Sequence, residues 1–279
     1  MSARAMMVVS VMAASTASAA GLVLEGQKLP GAAALQAQIA AARSEHAEVF
    51  AAVATVKADA DRFDAAKRGG KVAPLGRSFK QLGPEALLPM LEVLAFDVGP
   101  KAPVTEGGRL SLAVGLLEAV GALQDARALP VLQALVSLKS THPLVTRAAA
   151  DAYGFLQTDA VAAKLVELSQ GTDAHARAVR EGMGSCRRGV VAQALGAALS
   201  SATEVREQVE LARALGDVGN AWAWGTPGVK VKAEQAEVRL TAARALVQAF
   251  VRLDGEGRQA ASNALLVVDS SDTPALITA

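Results

Sequence analysis

The sequence predicts an all-α protein, an α-solenoid of about five helical hairpins preceded by a long N-terminal helix. Three observations carry this. The chain is 52% hydrophobic but only 3% aromatic, and its apolar content is mostly Ala, Leu and Val, small side chains that suit closely stacked helices. Alternating Val, Ile, Thr and aromatic runs, the mark of strands, are nearly absent. Finally, Gly121, Gly154, Gly184 and Gly216 fall 33, 30 and 32 residues apart, each after a larger apolar residue. A period near 30 residues made of two helices marks a repeat stack.

The first element is an address. Arg4 supplies a short positive region, and Ala5 to Ala14 is an apolar run too short to span a bilayer. Ala17-Ser18-Ala19 fits a small-x-small cleavage site. Residues 1–19 thus read as a secretory signal peptide cut after Ala19, which places the mature chain in a bacterial periplasm or outside the cell. No cysteine follows the cut, so neither a lipid anchor nor stable membrane insertion is expected of the mature chain.

Residues 20–70 form a lead-in and the long helix. Ala20 to Pro30 reads as flexible. Gly31 to Arg68 is Ala-rich and lacks internal glycine or proline. Ile39, Ala42, His46, Val49, Val53, Val56, Ala60 and Phe63 alternate gaps of three and four, a heptad seam. A helix of that length would run roughly 55 Å. It packs on the repeats, or folds as a hairpin broken near Ser44, or serves as a coiled-coil arm between copies. Small and β-branched seam residues with little Leu favour packing within the chain. Gly69-Gly70 ends it.

Residues 71–279 are the repeat domain. In Leu75 to Ala95, Gly83-Pro84 marks the turn and Leu87, Leu88, Leu91 and Leu94 form the stripe of the second helix. Asp97 to Gly108 is a Pro/Gly-rich loop. Leu110 to Leu123 and Ala126 to Leu138 are the next pair, turning at Gln124-Asp125. The best-formed pair is Val145 to Leu168. Val145, Ala148, Ala149, Ala152, Tyr153 and Leu156 make one apolar stripe, while Arg147 and Asp151 fall on the wet face. Pro143 suits the first turn, and Asp159 is placed to cap the second helix. Asp173 then caps a helix carrying Met183-Gly184, and Gly189 to Leu199 returns. Thr203 caps Glu204 to Gly216. Gly219 to Glu237 breaks the pattern as an insertion. Val238 to Leu253 reads as the displaced return helix, Gly257 to Val268 as another first helix, and PALITA as a stub.

These repeats resemble HEAT repeats, in particular the short HEAT-like repeats first named from phycobiliprotein lyases. The matching words are VTRAAADAYGFLQTDAVAAKL, VREQVELARALGDVGN and LGPEALLPMLEVL, and the resemblance runs from about Val72 to the C-terminus. It implies binding scaffolds as the usual role. Some relatives of this kind are enzymes, namely chromophore lyases and a DNA-glycosylase group with a basic groove. Fold likeness by itself assigns neither activity.

Formal charge is +1, from 28 basic and 27 acidic residues, without the basic excess that nucleic-acid binding needs. Cys186 is the sole cysteine, which excludes an internal disulfide and a cysteine metal site. It reads as a packing residue aligned with Leu156, although Arg187 and Arg188 beside it would favour a thiolate. His46, His142 and His175 have no metal-ligand spacing, and Asp59, Asp61 and Asp64 lack the glycine of a calcium loop. No phosphate loop, nucleophile elbow or paired-carboxylate arrangement stands out, so no catalytic residue, metal or cofactor is expected.

Function is expected where the repeat pattern fails, at Asp97–Gly108 and Gly219–Glu237. Trp222 and Trp224, in the insertion, are candidate partner-binding residues, since Trp is enriched at binding hot spots and alternate spacing in an extended segment puts both on one side. The opposing reading is that they plug a gap between repeats. Arg187 and Arg188 are a second candidate, as an anion spot, although such a pair is more often a solvated turn. The expectation is therefore a non-catalytic scaffold for a protein or peptide. Its alternatives are a HEAT-like lyase-type enzyme or enzyme subunit, and structural oligomerisation through the heptad helix.

Overall fold

A computed structural model describes residues 20–63, 75–99, 102–103 and 105–278, and every regular element among them is helical. The signal segment over residues 1–19 and the Gly69-Gly70 stop lie outside the described residues. The N-terminal segment is two helices rather than one, α1 (Ala32–Glu45) and α2 (Ala47–Ala58). The break comes at His46, whose backbone leaves the helical region at φ −130° and ψ 47°. This is the break near Ser44 that the sequence left open. Its cause is packing. Both helices lie against the same later helix, α4, and bury Leu35 and Ile39 from one, Phe50 and Val53 from the other. A straight rod could not place both faces there.

The hairpins follow in order. They are α3 (Gly76–Lys80) with α4 (Leu87–Ala95), α5 (Glu106–Leu123) with α6 (Leu129–Ser137), α7 (Pro143–Gly154) with α8 (Asp159–Ser169), and α9 (Ala174–Gly182) with α10 (Gly189–Ser201). Then come α11 (Val205–Gly219), the short α12 (Ala221–Trp224), α13 (Gln235–Arg252), α14 (Gly255–Val268) and α15 (Thr273–Thr278). The first helices stack in sequence, α3 on α5, α5 on α7, α7 on α9, α9 on α11 and α11 on α14. The return helices form the second layer, with α8 on α10 and α10 on α13. This is the two-layered α-solenoid.

The spaced glycines set the closeness of the first layer. A Cβ on Gly121 would lie 2.6 Å from Ala152 Cα, and one on Gly184 would lie 2.8 Å from the Ala214 carbonyl oxygen. One on Gly154 would run into Ser185 Oγ. Each repeat glycine is therefore where its helix touches the next unit. Leucines fill the space between layers: Leu91 and Leu94 of α4, Leu112 and Leu116 of α5 and Leu132 of α6 are fully buried. Each such side chain contributes about 1.5–3 kcal/mol.

Three local expectations change. Ala20 to Pro30 is docked, not loose. The Leu22 N–H donates to the Val93 carbonyl at 2.8 Å, and the Val23 and Leu24 N–H groups donate to Leu94 at 3.1 and 3.2 Å. These carbonyls end α4 and have no helical partner of their own, which is why the lead-in binds there. Thr158, not Asp159, caps α8, its Oγ1 accepting from the Val161 N–H at 3.2 Å. Thr158 has the extended backbone a cap needs, whereas Asp159 is already helical. Helix α11 starts after Glu204 without a side-chain cap, so Thr203 plays no capping part. Asp173 does cap α9, accepting from the Ala176 N–H at 2.7 Å.

Candidate functional site

The tryptophans do not share a side. They lie on helix α12, where two residues of separation is more than half a turn. Trp224 is fully buried and its indole N–H donates to the Val218 carbonyl at 2.9 Å. Trp222 points away and is 80% exposed. The joint Trp222–Trp224 surface expected of an extended segment is thus corrected, and only Trp222 is available to a partner.

Arg187 and Arg188 form no open anion spot. Arg188 donates to the Gln157 carbonyl at 2.9 Å, pairs with Asp159, and pairs with Glu234 at 2.9 Å. Arg187 is nine-tenths buried and donates to the Ser185 carbonyl at 3.2 Å. Burial works against its charge, and the nearby carboxyls of Asp217 and Asp151 offset this. Cys186 is wholly buried and its thiol is pushed up to about 12 by that burial, beyond what the two arginines offset. It is a packing residue and not a nucleophile.

The insertion itself is a clasp. The Gly228 carbonyl accepts from Gln124 at 2.9 Å and from Gln157 at 3.2 Å, and the Lys230 N–H donates to Gln157 Oε1 at 2.9 Å. Gln124 and Gln157 occupy the turns of two successive hairpins, both at positive φ. Glu234 then receives the Gly189 N–H at 3.3 Å, beside its pair with Arg188. The segment runs back over the turns of three earlier hairpins. The sequence shows a broken repeat there but not this use of it.

The ionisable groups gather elsewhere, on the first-helix layer. Counting back three residues from each repeat glycine gives Glu118, Asp151, Glu181 and Arg213, one position repeated along the stack. Asp151 was expected on the wet face beside Arg147. It lies instead against Ser185 of the next unit, and burial, with Asp217 adding, raises its carboxyl to about 6. Glu181 is raised to about 7, first by burial and then by its hydrogen bond to Glu210 and that group's charge, with Arg147 and Arg206 opposing. Glu210 pairs with Arg206 at 2.7 Å. Two carboxyls therefore face each other across α9 and α11. Asp217, raised by burial and held down by Arg187 and Arg147, continues the row.

Beyond it lies a groove of about 370 Å³ between α11 and α14, lined by Arg213, Asp217, Glu256, Gln259 and Asn263. A face of this kind can hold a polar, charged molecule beside groups able to give or take a proton. No group of three or more metal-ligating side chains that could hold an ion occurs among the described residues. The row was missed because Asp151 read as a wet-face charge within its own helix and was not compared with Glu118 and Glu181. Alignment on the glycines was the available signal.

The solved structure of human deoxyhypusine hydroxylase in complex with glycerol is similar to 81% of this chain and 98% of that chain, at 16% identity and a TM-score of 0.36. No family model and no curated protein matches the chain. The expectation of a non-catalytic scaffold, and of a protein that is not an enzyme, is withdrawn, since this neighbour is an enzyme; at this TM-score the likeness assigns this chain neither role. A likeness this distant transfers neither substrate nor site residues.

Proposed function

We propose that the chain is an enzyme or an enzyme subunit whose reaction turns on proton transfer at the first-helix face. The observation that carries this is the pair of carboxyls one repeat apart that burial raises toward neutrality, Asp151 to about 6 and Glu181 to about 7, beside the groove of Arg213 and Asp217. A carboxyl tuned close to the working pH acts as a general acid or base. Arg213 stands in the groove, where it would meet an anionic group of the substrate. Lyase-type chemistry, in which a proton is removed beside a bond that breaks, is the finer form of this reading, and the HEAT-like repeat words support it. Export to the periplasm belongs to the same proposal, supported by Arg4, the apolar run and Ala17-Ser18-Ala19.

The test is a mass-spectrometric screen of anionic metabolites incubated with the purified mature chain and with its Glu181→Gln variant. Wild type should convert at least one compound, and Glu181→Gln should slow that conversion by about 10²-fold or more. Conversion no faster than in buffer, or equal conversion by the variant, would sink the reading.

A further inference from the structure

A second cavity, of about 440 Å³, opens at the other end of the stack, between the docked lead-in and the N-terminal ends of α5 and α7. One wall is Leu22 and Val23 of the lead-in, and the facing wall is Leu110 and Val145. This volume and apolar lining suit a small ligand. The mouth carries opposite charges. Glu106 and Arg109 stand one turn apart on α5, and neither forms an ion pair among the described residues. Oppositely charged residues at that spacing commonly pair. Arg109 instead makes only a long bond to the Leu22 carbonyl, at 3.4 Å.

His142 completes the rim. Its Nδ1 accepts from the Leu144 N–H at 3.2 Å, which leaves the proton of a neutral ring on Nε2. Glu106 has a local reason to be there, since a carboxylate is favoured in a first helical turn. Arg109 has no such reason.

We propose that this cavity binds a small zwitterion with an apolar body, a free apolar amino acid or dipeptide. Its carboxylate meets Arg109 and His142, its ammonium meets Glu106, and its side chain lies against Leu22, Val23 and Val145. A simple fatty acid would leave Glu106 facing a like charge, and a simple amine would leave Arg109 doing so. The proposal is independent of Asp151 and Glu181.

The test is calorimetric titration of the mature chain with L-leucine and with L-leucyl-L-leucine, and with 4-methylpentanoate and 3-methylbutylamine as single-charge controls. At least one zwitterion should bind, and both controls should bind about tenfold more weakly or worse, the scale of one charge-assisted hydrogen bond. Arg109→Gln and Glu106→Gln should each weaken zwitterion binding to the same degree while the circular dichroism stays that of the folded chain, since both side chains are exposed. The proposal is overturned by absence of binding of both zwitterions at millimolar concentration, by wild-type affinity in either variant, or by a control binding as tightly as the zwitterion.

Discussion

Asp151 is the residue where charge and packing conflict most plainly. Ser185 of the next unit donates to its backbone carbonyl at 2.7 Å and stands beside its carboxyl, which burial raises from its ordinary 3.8 to about 6. An acid raised on folding binds more protons folded than unfolded. Its contribution to stability is therefore complete below about pH 3.8 and is lost as pH climbs through 6. The loss is on the order of 3 kcal/mol. Asp151→Asn keeps the shape and removes the ionisation. Calorimetric melting should show the variant more stable than wild type at pH 8, with the gap closing by pH 4. A variant that melts lower at pH 8 would mean that Arg187 and Arg147 hold the ionised form after all.

At the scale of the element, contact between successive first helices decides whether the stack forms. Gly121 of α5 meets the backbone of α7 at Ala152, where a side chain would sit 2.6 Å from Cα. Backbone cannot rotate aside as a flexible side chain can. Gly121→Ala should therefore cost on the order of 1–3 kcal/mol by forcing the helices apart, read as a fall in the urea midpoint. Gly189 opens α10, and a Cβ there meets only Glu237 Oε1 at 3.7 Å. Gly189→Ala is the matched control and should be neutral or gain about 0.5 kcal/mol from helix propensity. Equal losses in both variants would remove the contact argument.

For the molecule as a whole, a helical stack is held mainly by nearest neighbours. The insertion departs from that rule, because Gly228 reaches the turns at Gln124 and Gln157, some 104 and 71 residues earlier. It ties the turns of the second and third hairpins to a segment far along the chain. Replacing both glutamines by alanine should release this clasp. Hydrogen exchange followed by mass spectrometry should then rise across 221–234 while α7 and α9 stay protected. Unchanged exchange in that segment would show that Trp224 and Glu234 hold it without the glutamines.

The sequence by itself determined the helical class, the repeat period and most helix limits, because these follow from spacing along one chain. Leu87, Leu91 and Leu94 face inward whatever packs on them, and Asp173 caps its own helix. Tertiary structure decided what depends on a second segment. His46 breaks the N-terminal helix because both halves find α4. The lead-in docks because α4 has unpaired carbonyls. Trp224 is plugged while Trp222 is bare because their segment turned helical. Arg188 is spent on Asp159 and Glu234, which no spacing reveals. The row of Glu118, Asp151 and Glu181 lies between these cases. Its register was written in the glycine period, but the rise of the Asp151 and Glu181 carboxyls comes from burial against the neighbouring repeat, and burial is a property of the stack.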